Sequence, residues 1–99
     1  MSYYIQLNGL DGATPEQQAD IVRTYRETFE RVIGDPSQVV ATWQALQAEI
    51  EMARESTLEP QMGGVSSRWD LATAMARRVA LEQWPGNSDK AQFEFSLVH

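Results

Sequence analysis

The chain ends in Lys90-Ala91-Gln92-Phe93-Glu94-Phe95-Ser96-Leu97-Val98-His99, and the alternation in this stretch decides the fold. Ala91, Phe93, Phe95 and Leu97 fall on one side of an extended chain, and Gln92, Glu94 and Ser96 on the other, because successive side chains of a strand point to opposite faces. Residues 2–8 have the same period, with Tyr3, Ile5 and Leu7 sharing a face. Everything between reads as helix. The pattern predicts that the two ends of the chain meet as neighbouring strands, with helices covering their apolar faces.

After the first strand, Asn8-Gly9-Leu10-Asp11-Gly12 is turn chemistry. Thr14-Pro15-Glu16-Gln17 then opens a helix: Thr14 caps, Pro15 suits the first helical position and Gln17 completes a capping box. Val22, Tyr25, Phe29, Val32 and Ile33, flanked by Ile21, form its apolar stripe, and Gly34 ends it. Arg23–Glu27, Glu27–Arg31 and Arg26–Glu30 stand at ion-pair spacing outside. Asp35-Pro36-Ser37-Gln38 repeats the start signal at once. The second helix carries a main stripe of Val39, Trp43, Leu46, Ile50 and Ala53, and a small-residue stripe of Ala41, Ala45, Ala48 and Met52. Two apolar stripes predict a helix sandwiched either inside the fold or against another molecule, and alanine's suitability for exposed helix favours the former.

Residues 56–67 break the rhythm, because twelve residues exceed the usual connection between packed helices. Ser67-Arg68-Trp69-Asp70 offers a third start, with Ser67 as cap. In this third helix Leu71, Met75, Val79, Ala72, Ala76, Trp69 and Ala80 cover more than half the wheel, which predicts the most buried helix. Its alanine row is expected to meet the small-residue stripe of the second helix. The order is β-α-α-α-β: a single α+β domain over residues 1–99, three helices layered on a two-stranded sheet made by the chain ends. The long connection can re-traverse a helix length, about 40 Å when extended, which favours antiparallel strands.

Fourteen acidic residues against eight basic ones give a net charge of −6, which disfavours direct binding to phosphate backbones and suits a partner with a basic surface. There is no cysteine, so thiol catalysis, disulfides and thiolate metal sites are excluded. The composition fits a reducing cytoplasm, where the chain is expected. No stretch approaches the roughly 20 apolar residues of a membrane-spanning helix.

Candidates for chemistry are sparse. The only histidine is the terminal His99, so neither Ser66 nor Ser67 has an evident base. Glu51 and Glu55 lie four apart on one helix face, beside Glu49 and Glu59, but without calcium-loop spacing; a solvated acidic face accounts for them. No cofactor or metal is expected. Gly63, Gly64, Ser66, Ser67 and Arg68 run into a helix start, where backbone N–H groups attract anions. Neither a Walker pattern nor a dinucleotide fingerprint is present, and Asp70 repels an anion there.

Interaction with another protein has more support. Leu58, Met62 and Val65 sit in the long connection and follow the acidic run Glu51, Glu55, Glu59. Apolar side chains bounded by acids suit a partner with an apolar or basic surface. The expectation is a small, acidic, non-catalytic binding module: an adaptor, inhibitor or accessory subunit. Its sharpest form is a bacterial or phage inhibitor whose acidic face imitates nucleic acid. The alternative is a small-ligand or enzymatic domain with an anion pocket at residues 63–68, completed in a homodimer. A dimer is expected through the uncharged first strand, whose Tyr4 and Gln6 face away from the core.

Overall fold

The computed structural model describes residues 2–55 and 65–98. The termini meet as expected: β1 (Ser2–Asn8) pairs antiparallel with β2 (Gln92–Val98). Tyr3, Ile5 and Leu7 oppose Leu97, Phe95 and Phe93 on the face turned to the helices. Tyr4 and Gln6 oppose Ser96 and Glu94 on the outer face. Gly9 closes the sheet end at φ +80°; a Cβ there would lie 2.1 Å from the Lys90 carbonyl oxygen, so no larger residue fits.

α1 (Pro15–Ile33) begins with the expected capping box. The Gln17 N–H donates to Thr14 Oγ1 at 3.1 Å, and the Thr14 N–H donates to Gln17 Oε1 at 2.9 Å. α2 (Pro36–Glu55) begins the same way, with the Gln38 N–H on Asp35 Oδ1 and the Asp35 N–H on Gln38 Oε1. The Ser37 hydroxyl and the Gln38 N–H hold the Asp35 carboxyl below its usual range. α3 (Val65–Leu81) starts three residues earlier than Ser67 capping implies, placing Ser66 and Ser67 inside its first turn.

The aromatic core forms as the strand alternation predicts. Phe93 stacks on Tyr25 with ring centroids 4.1 Å apart. Phe95 sits among Tyr3, Phe29, Trp43 and Trp69, at centroid distances of 5.1, 6.4, 4.9 and 5.1 Å. One sheet residue thereby touches aromatic side chains from β1 and all three helices, which fixes the helical layer over the strands. Tyr3 adds a polar tie: its hydroxyl donates to Glu30 Oε1 at 2.6 Å, and the Arg26 guanidinium lies over its ring at 4.7 Å. Burial and the Glu30 carboxylate raise the Tyr3 phenol above its ordinary value. Of the expected ion pairs on α1, Arg26–Glu30 forms at 3.2 Å, while Arg23 turns to Asp20 at 2.9 Å.

Two expectations about the helices are overturned. The fully buried Ala72, Ala76 and Ala80 meet α1, the helix on which α3 chiefly packs, and not the alanine stripe of α2. Arg68 reaches the end of α1 and Gln83, just past α3, reaches Thr24, so the two helices run antiparallel. Nor is α2 sandwiched inside the fold: Ala41, Ala45 and Ala48 are exposed, and so is every residue from 48 to 52. Five consecutive positions exceed a full turn, so all sides of the helix stand clear of the other described residues there. Among the described residues it is anchored through Val39, Val40, Trp43 and Leu46.

Candidate protein-binding surface

The third helix is not the most buried one. It needs only Trp69 and its alanine row to pack on α1, and this narrow contact leaves Leu71, Met75 and Val79 outside, at 55, 44 and 37% exposure. These three residues repeat every fourth position and so line one side of the helix as a continuous apolar row. Arg78 and Glu82 border it and approach each other at 3.9 Å. Large apolar side chains gathered on one face, not scattered singly, mark a surface used for contact. Sequence reasoning found the row but assigned it to the core.

The expected binding segment is only partly visible. Leu58, Met62 and Glu59 lie outside the described residues, as do the side chains of Val65 and Glu55. Glu51 is exposed near the end of α2, paired with Arg54 at 3.4 Å. Exposed Glu49, Ile50 and Met52 surround it, so the free end of α2 mixes acidic and apolar groups.

Of the expected anion-binding residues, Gly63 and Gly64 lie outside the described residues, Ser66 is half-buried and Ser67 exposed. Arg68 is engaged within the chain. Its guanidinium donates to the Ile33 carbonyl at 2.8 Å and lies 3.4 Å from that of Val32, serving carbonyls that the end of α1 leaves unpaired. On the outer sheet face Tyr4 is 48% exposed and Gln6 is exposed beside it. No group of three or more His, Asp or Glu able to hold a metal gathers among the described residues. No helix among them is long and apolar enough to cross a membrane.

Comparison with protein-family models, curated proteins and solved structures finds no match.

Proposed function

We propose that this chain is a small, non-catalytic protein-binding module, an adaptor, inhibitor or accessory subunit, and that it meets its partner through the Leu71, Met75 and Val79 face of α3. The observation that carries this reading is the exposed row itself. Three large apolar side chains on a well-formed helix, outside the core that the described residues form, match the anchors by which a helix docks into an apolar groove. The net charge of −6 and the exposed Glu49 and Glu51 favour a partner surface with a basic rim.

The nucleic-acid-mimicking version has less support, because Asp20, Glu30, Glu51 and Glu82 each stand against an arginine, and such interleaving breaks up an acidic face. The anion-pocket alternative gains nothing from Arg68, whose guanidinium already serves the end of α1.

The test replaces Leu71, Met75 and Val79 by Ser in one chain. Exposed positions change stability by only about 0.5 kcal/mol each, so the variant is expected to stay folded and to lose the partner that wild type captures from its source cells. Capture at wild-type levels by the folded variant removes this face as the recognition surface.

A further inference from the structure

The edge of β2 borders a groove that the other described residues leave open. It has a volume of about 420 Å³ and is lined by Tyr25 of α1, Thr73, Ala74 and Arg77 of α3, and residues 91–94. Phe93 comes from the core face of the sheet, Gln92 and Glu94 from the outer face. Side chains of opposite faces share a wall only where that wall is the edge of the strand.

The backbone polarity agrees. The Arg77 guanidinium donates to the Ala91 carbonyl and, at 3.0 Å, to that of Ser88. The Ala91 carbonyl therefore points toward α3, while the Lys90 carbonyl points the other way, against Gly9 at the end of β1. In an antiparallel strand alternate residues send both N–H and C=O to the same side. Phe93, Phe95 and Leu97 thus turn their backbone groups to the edge that Ala91 faces. Among the described residues β2 pairs with β1 alone. The backbones of α1 and α2 run close to β1, whereas no helix among the described residues runs comparably close along β2. Arg77 satisfies the first acceptor on this edge and leaves the following ones open, the condition under which a sheet edge recruits another strand.

We propose that this edge takes an extended peptide segment of a partner protein as a third strand, and that the segment places a basic residue beside Glu94. At about 3.3 Å per residue, the four residues of β2 in the groove span ~13 Å, enough to pair three or four residues of a partner. A helix pairs its backbone groups internally and offers none to this edge. The far wall is α3, which contributes Thr73, Ala74 and Arg77. Main-chain hydrogen bonds supply the pairing, and an apolar side chain from the segment rests on the stacked Tyr25 and Phe93 rings and on Ala74. Glu94 is exposed and forms no ion pair among the described residues, so its carboxylate is available to a cation. Thr73 and Arg77 lie on the flank of α3 turned away from Leu71, and Ala74, three positions after Leu71, stands at the border of the two surfaces.

The test selects a phage-displayed library of random ten-residue peptides on the wild-type chain and titrates the enriched peptide by NMR. The expected peptide alternates apolar residues with Lys or Arg, slows hydrogen exchange at the Phe93 and Phe95 amides, and loses at least tenfold in affinity when one of its pairing amides is N-methylated. Ala74→Trp, which fills the groove from an exposed helix position, weakens it at least tenfold. Glu94→Lys does the same and turns a repeated selection toward acidic residues, while Met75→Ser leaves affinity unchanged. Failure to enrich any sequence, binding as a helix, protection outside β2, or unchanged affinity for folded Ala74→Trp and Glu94→Lys chains overturns the proposal.

Discussion

The Arg68 guanidinium donates to the Ile33 carbonyl at 2.8 Å, so the start of the third helix closes the end of the first. Gly34 turns the chain there, with its N–H on the Glu30 carbonyl at 2.7 Å, and the carbonyls beyond need donors from elsewhere. A charge-assisted hydrogen bond at this point also favours a cation at the negative end of the α1 dipole. Arg68→Ala is expected to cost about 1–2 kcal/mol, with Arg68→Lys recovering part of it. Urea denaturation of the three chains measures this; an unchanged midpoint for Arg68→Ala means that water serves the carbonyls equally well.

Phe95 is the residue on which the layers converge, touching rings from β1, α1, α2 and α3. Phe95→Ala is expected to cost about 3–5 kcal/mol, the usual range for removing a core aromatic, and a large part of the ~5–15 kcal/mol that holds a domain of this kind. A loss below about 1 kcal/mol in chemical denaturation places the strand at the periphery and contradicts the packing described here.

Burial pushes the Tyr25 phenol from its ordinary 10.0 up to about 12. The folded chain therefore keeps this proton at a pH where the unfolded chain has lost it. The stability this supplies is fully present below the unfolded value and is lost as pH rises through the folded one. Between about pH 9 and pH 12 the wild type should lose more stability than Tyr25→Phe, which has no phenolic proton to release. Equal losses in the two chains contradict the assignment of alkaline sensitivity to this residue.

The outer face of β1 presents Tyr4 and Gln6 without any charge on the strand. Addition of a second copy here is expected to give a dimer with isologous symmetry, seen by light scattering over a concentration series. Tyr4→Lys together with Gln6→Lys should return it to monomer, since charge is a usual means of blocking an edge. A strict monomer at high micromolar concentration removes this dimer, and a dimer that survives both substitutions has its interface elsewhere.

The strands were legible because period-two alternation is local, and the caps of α1 and α2 because they depend on residues three positions apart. The partner of the Ala72, Ala76 and Ala80 row was not. The sequence offers α2 a stripe of alanines, whereas α1 meets the row along the side that carries Thr24 and Thr28. Their hydroxyls are satisfied on their own helix, Thr28 on the Thr24 carbonyl at 2.9 Å and Thr24 on that of Asp20 at 3.0 Å, so each behaves as a small, nearly apolar residue. A helical wheel counts such residues as polar and cannot rank one small-residue face above another. Once the alanines settle on α1, Leu71, Met75 and Val79 are carried outside, a consequence of close approach that composition does not encode. The groove beside β2 joins residues from three distant elements and leaves no local signal at all.

The central claim, recognition through the exposed face of α3, is tested most directly by placing a photo-crosslinking residue at Met75 and, as a control, at exposed Glu27 on the outside of α1. Both chains are expressed in the source cells and irradiated. The account predicts a single crosslinked protein from position 75, absent from position 27 and lost when Leu71 and Val79 are changed to Ser in the same chain. Identical crosslinks from both positions, or none from position 75 while the wild-type chain still captures its partner, contradict it.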